Sequence, residues 1–267
     1  MNAVSKTLYI PLLGNVRTSK LCPALFYDPK ALALEKDIPA SLRNKKAPKY
    51  FYFAGAARYF TLDREVKKFI ADHPQCNIIN LGAGLDTTFY RIGSTTATFY
   101  ELDLAPVIAK RRELLGEEEN DVYIEGSFLD VVQWTEKVAD KTKPTLMIAS
   151  GLFYYFPKEQ VSQFLRDMKG KFAHAELVFD CVNEKGMNIS NKFVKKTGNL
   201  GAPMYFFIDD IKEYLREVDV NITLVEEYML YRDAKRVVRK SGFYLASLIM
   251  YLSDKIKRVK IEHLRID

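Results

Sequence analysis

From residue 76 onward, short runs rich in β-branched and aromatic residues alternate with longer stretches whose apolar positions recur at helical spacing. This pattern predicts strands at 77–81, 98–102, 121–125, 145–149 and 175–180, with helices at 86–92, 105–115, 131–139 and 158–171 between them. The last of these helices opens after Pro157, where a first-turn proline belongs. Strand–helix–strand units of this kind build a parallel sheet covered by helices. After Asp180 the rhythm changes. A polar stretch containing Asn183, Gly186 and Asn188, a short helix at 190–196 and a Gly- and Pro-containing loop at 198–203 read as an insertion at about 183–208. A helix at 209–217, a strand at 222–228, a helix near 241–253 and a strand at 258–264 then complete a doubly wound, mostly parallel α/β sheet of seven strands. Residues 1–75 carry helical patterning, clearest at 65–71, and no strand rhythm. They are expected to form a helical cap or substrate lid on a domain spanning 76–267.

A chain of 267 residues, 48% hydrophobic and 13% aromatic, can bury one substantial core. Its longest apolar run, 146–156, is broken by Ser150 and Gly151 and is far shorter than the roughly 20 residues that span a bilayer. No membrane partner is expected. The N-terminal residues lack a secretory pattern, and Cys22, Cys76 and Cys181 have neither disulfide nor metal spacing, so a cytoplasmic protein without a structural metal is expected. The net charge of +6 is compatible with an anionic partner.

The strongest local signal is Ile78-Ile79-Asn80-Leu81-Gly82-Ala83-Gly84-Leu85-Asp86-Thr87-Thr88, an apolar strand entering a G-x-G turn and a helix N-terminus. Such a turn lets backbone approach a nucleotide closely. A dinucleotide fingerprint wants a third glycine at position 87, and Thr87 stands there, which argues against a diphosphate cofactor. Asp103 closes the second strand about 20 residues on, the spacing at which a carboxylate accepts ribose hydroxyls. Glu101 lies on the same strand face, and the pattern does not separate the two. Asp86 and Thr87 read as caps of the first helix.

The run from Asn80 to Arg91, together with Ala57-Arg58, Tyr100-Glu101-Leu102-Asp103, Pro144 to Ala149 and Tyr154-Tyr155-Phe156, resembles the leucine carboxyl methyltransferase family, which includes polyketide O-methyltransferases of the tetracenomycin type. The resemblance covers roughly residues 50–185. It implies a Rossmann-like methyltransferase that binds S-adenosylmethionine, with Arg58 on the methionine carboxylate, Gly82 and Gly84 along the methionine side, and Asp103 on the ribose. Two positions depart from the family's pattern: Ser127-Phe128 replaces an Asp-Leu pair at the adenine, and Ser150 replaces a Glu. Ser127 can still hydrogen-bond and Phe128 can stack on adenine. The small residue at 150 matches polyketide-type relatives and points to small acceptors.

Methyl transfer from a sulfonium is an in-line displacement in which alignment contributes about 7–11 kcal/mol. A carboxylate acceptor is already ionised, whereas a phenol with a pKa of about 10 needs help to lose its proton. His73 and His174 precede strands, at the sheet edge opposite the one where ligands bind, and His263, in the last strand, reads as a packed or surface residue. Asp180, at the end of the fifth strand, is the candidate base. Tyr154 and Tyr205 are candidate walls of the acceptor pocket, while residues 204–207 fit a buried apolar anchor equally well. The basic C-terminal region, from Arg232 to Lys260, contains Asp233 and Asp254, with Glu262 just beyond, and reads as a solvated face; a nucleic-acid partner is not expected. The expected activity is O-methylation of a small hydroxyl- or carboxyl-bearing, polyketide-like molecule by a protein able to form homo-oligomers. The alternatives are carboxyl methylation of a protein C-terminus and a non-catalytic S-adenosylmethionine-binding module.

Overall fold

The computed structural model describes residues 3–44, 47–196, 203–218 and 221–266. Part of the loop expected at 198–203 lies outside the described residues. Among the described residues the sheet has seven strands: β1 (Asn77–Leu81), β2 (Thr98–Asp103), β3 (Asp121–Glu125), β4 (Thr145–Ala149), β5 (Ala175–Val182), β6 (Ile222–Met229) and β7 (Val259–Ile266). They lie in the order β3-β2-β1-β4-β5-β7-β6, and only β7 runs against its neighbours. β1, β4 and β5 are buried along their whole length, polar Asn80, Glu176 and Asp180 included, whereas edge strand β6 alternates between exposed and half-buried positions over most of its length.

The helices of the described chain are α1 (Ala3–Leu21), α2 (Pro29–Ala33), α3 (Ala40–Arg43), α4 (Lys49–Asp72), α5 (Thr88–Ile92), α6 (Ala105–Leu115), α7 (Val131–Thr135), α8 (Lys158–Met168), α9 (Glu184–Lys196), α10 (Ile211–Val218), α11 (Ala234–Lys240) and α12 (Tyr244–Lys255). Successive strand residues point to opposite faces. Ile79, Met147 and Leu177 accordingly pack beside Trp134, Phe164 and Tyr214 on one side of the sheet, and Ile78, Ile148 and Val178 pack beside Phe53, Leu62 and Met250 on the other. A third cluster joins Leu12, Val16, Leu34 and Ile38 of the N-terminal helices to Leu85 in the glycine turn and Leu115 of α6.

Two elements differ from the sequence expectation for physical reasons. The polar stretch at 183–189 is the first half of α9, because Asn183 Oδ1 accepts from the backbone N of Gly186 at 2.8 Å and serves as a cap. α11 lies in the basic run that reads as a solvated face; its Ala234 and Val238 are buried against the sheet cluster.

One buried cation joins three parts of the chain. Arg91 of α5 makes a bidentate pair with Asp63 of α4 (2.7 and 2.9 Å), reaches Asp86 of the glycine turn (3.2 Å) and contacts Asp28 ahead of α2 (3.3 Å). Its guanidinium lies between the rings of Phe26 and Tyr59, at 4.9 and 5.0 Å from their centroids. Removing one member of such a network leaves buried charges uncompensated. Arg91→Met should therefore lower unfolding free energy by about 3–5 kcal/mol in denaturant titration. A loss well under 1 kcal/mol would show that the three carboxylates do not depend on it.

Candidate active site

The strand order reverses between β1 and β4, and the carboxyl ends of β1, β2, β4 and β5 open on the crevice there. Gly82, just past β1, has φ +65°, and a Cβ added to it would stand 2.6 Å from Leu152 Cδ1. Gly151, just past β4, has φ +66°, and its Cβ would stand 2.5 Å from Arg58 Nη1. Both positions favour glycine for backbone conformation, and a side chain at either would have to displace the flexible end of Leu152 or Arg58. Gly84 completes the first turn with φ +54°.

The structure separates Glu101 from Asp103. Glu101 lies inside the fold, paired with Arg111 of α6 at 3.1 Å and accepting from Asn80 Nδ2 at 3.0 Å. Burial raises its carboxyl above the usual range even beside Arg111. Arg111 in turn donates to the carbonyl of Asp86 at 2.6 Å, so this pair braces the glycine turn from below. Asp103 sits at the strand's tip, where Oδ2 accepts from Gly84 N (2.8 Å) and Oδ1 from Leu104 N (2.7 Å). Beside it, Leu104 leaves an apolar side chain 52% exposed, a surface that the sequence pattern did not single out.

Arg58 reaches the crevice from α4. Its Nε lies 2.7 Å from Asp180 Oδ2, and its side chain remains 26% exposed. Asp180, at 1% exposure, also accepts from Gly151 N (2.7 Å) and from the Tyr154 hydroxyl (2.7 Å). The carboxylate is thus committed to three partners and faces no open space. Burial, and then Asp180, hold the Tyr154 phenol well above its usual pKa. Tyr154 is accordingly part of this network and not an exposed pocket wall. Ser150 Oγ is buried beside it without a hydrogen-bond partner.

Ser127 turns its hydroxyl to its own loop, accepting from Leu129 N at 3.2 Å. Phe128, expected to stack on adenine, is 4% exposed and packs edge-on against Phe156 and Phe164, so its ring belongs to the core. Residues 204–207 combine the two sequence readings. Phe206 is buried against Phe153 and Tyr214, while Tyr205 is exposed and tied through its backbone N to the Tyr154 carbonyl at 2.7 Å. Asn191 of α9 clips the segment by exchanging two 2.8 Å bonds with the Met204 backbone. Asp86 accepts from Thr88 N as a cap, whereas Thr87 turns its hydroxyl to Asp28 at 2.6 Å. His263 is buried against Glu176 at 2.7 Å, near the start of β5 and away from the crevice.

A sheet of this order with one reversed strand, a glycine turn after β1 and an acid at the tip of β2 defines a Rossmann-like methyltransferase fold. The model of the leucine carboxyl methyltransferase family matches residues 18–169, more than half of the chain. The chain belongs to that family, whose methyl donor is S-adenosylmethionine. It is 27% identical over 122 residues to the tetracenomycin polyketide synthesis O-methyltransferase TcmP of Streptomyces glaucescens, a match covering 45% of this chain and 44% of that protein. The matched segment therefore spans less than half the length of this curated relative. Among solved structures, a Thermobifida fusca protein assigned as a methyltransferase superposes with a TM-score of 0.61 at 16% identity, covering 95% of this chain and 94% of that one. Magnesium protoporphyrin IX methyltransferase from Synechocystis, solved with bound S-adenosylhomocysteine, gives 0.51 at 12% identity, covering 85% and 92%. Among the described residues, no helix is long and apolar enough to cross a membrane.

Gly151→Ala combines left-handed backbone with a side chain driven into the Arg58 guanidinium, a far end that can swing away. The variant should fold with a loss of about 1–3 kcal/mol and bind S-adenosylmethionine at least about tenfold more weakly. Thermal melting and ligand titration together check this; unchanged affinity would mean that Arg58 does not hold the donor.

Proposed function

We propose that the chain is an S-adenosylmethionine-dependent O-methyltransferase acting on a small hydroxyl- or carboxyl-bearing molecule of the polyketide kind. The observation that carries this reading is the convergence, at the sheet's switch point, of an Arg58 that is 26% exposed and held by Asp180, a turn in which Gly82 and Gly84 are both left-handed, and the Asp103 carboxylate. The unpartnered Ser150 hydroxyl fits the same reading, since a buried polar group without a partner is costly unless a ligand completes it.

Arg58 supplies the cation for the donor's methionine carboxylate. Asp103 accepts from the ribose hydroxyls, Leu104 and Ser127 border the adenine, and Gly82 and Gly84 let the backbone lie close. When bound, the donor supplies a methyl group activated by a sulfonium. The protein's own work is alignment and exclusion of water, and that work can account for much of the barrier reduction. Asp180 acts as a positioning residue: it fixes the direction of Arg58 and is too fully bonded to take a proton from an acceptor. A carboxylate acceptor needs no base, and an acidic phenol needs little help. The polyketide assignment is supported by the TcmP relative and by the small residue at 150.

Calorimetric titration with S-adenosylmethionine and S-adenosylhomocysteine is the direct test. Both should bind, and Asp103→Ala should weaken both by about 1.5–3 kcal/mol, the cost of losing a hydrogen bond to a charged group. Absence of binding by the unaltered protein would remove the proposal. Tyr205→Ala should raise the acceptor KM several-fold while leaving the donor KM in place. The reverse pattern, measured by steady-state kinetics, would detach Tyr205 from acceptor recognition.

A further inference from the structure

α12 is apolar on its outer face as well as its inner one. Ala246 and Met250 are buried with Ser247, Ser253 and Asp254, while Tyr244, Leu245, Leu248, Tyr251 and Leu252, with Ile256 just past the helix end, project outward, Leu245 with 73% of its surface exposed. Their spacing by three, four, seven and eight residues gathers them on one face of about 140°. Single exposed apolar residues need no explanation, but a contiguous helix face does.

The charges around this face are one-sided. Between Ala234 and Arg258 there are seven Lys and Arg residues and one acid, Asp254, a balance of +6 that equals the formal charge of the whole chain. The remainder of the protein is therefore neutral. The acids that made this region read as a solvated face are engaged elsewhere: Asp233 pairs with Arg64 and Arg232, Asp254 is buried under Lys235, and Glu262 is buried beside Lys260 inside the sheet. Arg236, Arg239, Lys240, Lys255 and Lys257 are exposed around the apolar ridge. Between α11 and α12 runs an open groove of about 640 Å³, lined by Lys235, Arg236, Arg239, Tyr244, Leu248 and Tyr251.

We propose that the α11–α12 hairpin docks the protein on an anionic lipid surface, with the α12 ridge lying in the headgroup region and the basic rim on the phosphates. An interfacial helix needs an apolar face flanked by cations and no bilayer-spanning length, so the lack of a spanning helix among the described residues does not oppose it. A second copy of the chain fits less well, because a two-fold contact would set this uncompensated positive patch against itself. A nucleic acid would use the cations and leave the apolar ridge in water.

Flotation of the purified full-length chain with phosphatidylglycerol-containing vesicles, and with vesicles of phosphatidylcholine alone, tests the proposal. The expected result is binding to the anionic vesicles only, weakened by salt and reduced about tenfold or more by Leu245→Ser with Leu252→Ser, or by Arg236→Glu with Arg239→Glu. All four positions are exposed and remote from Arg58 and Asp103 in sequence, and unchanged titration with S-adenosylmethionine confirms that each variant is folded. No binding to anionic vesicles at low salt overturns the proposal. So does binding that both variants leave unchanged, or a dimer in solution that the leucine variant dissociates.

Discussion

The position of α4 is the constraint on which the rest depends, and two buried ion pairs set it. At one point along the helix Asp63 is clamped by Arg91, which also holds the glycine turn and the N-terminal segment. At another, Arg58 is drawn to Asp180 at the end of β5. α4 is not a strand-to-strand connection, so chain topology alone does not place it. The sheet places Gly82, Asp103 and Asp180; these pairs bring an arginine from outside the β-α-β core to face them. Burying charges in this way contributes little net stability compared with apolar packing. The arrangement is better understood as specifying where one guanidinium points.

The same logic recurs beneath the glycine turn. Glu101 and Arg111 are both fully buried, and Arg111 spends a donor on the Asp86 carbonyl and approaches that of Gly84 at 3.4 Å. A turn with two left-handed glycines has few side chains with which to define itself, so its shape is imposed from below by a cation that its own sequence does not contain. Above it, Asp103 holds Gly84 through its backbone N–H. The turn is thus held between an internal ion pair and a carboxylate at its mouth, which keeps a sparsely substituted loop in one conformation before any ligand arrives.

Much of this was legible in the sequence where local pattern and packing agree. Strands β1, β3 and β4 fall where their apolar runs predict them, and the Gly82–Gly84 turn lies between strand and helix as its composition requires. The legible part ends where a residue's role depends on a partner far along the chain. Glu101 and Asp103 are two residues apart on one strand face, and only α6 supplying Arg111 to the first and Gly84 approaching the second tell them apart. Phe128 has the right chemistry for an adenine, but three neighbouring phenylalanines close around it. Asn183 looked like a loop residue because capping residues and loop residues are the same types.

The two halves of the molecule are also built under different rules. The donor side rests on strand ends and helix-borne ion pairs, where a shift of one residue would break several contacts at once. The segment that carries Tyr205 is held instead by a backbone bond from Tyr205 N to the Tyr154 carbonyl and by the Asn191 side chain on the Met204 backbone. Side chains on such a segment can change without disturbing the sheet, which is how one donor site serves many acceptors. The hairpin of α11 and α12 packs on α4 and leaves apolar and cationic side chains exposed.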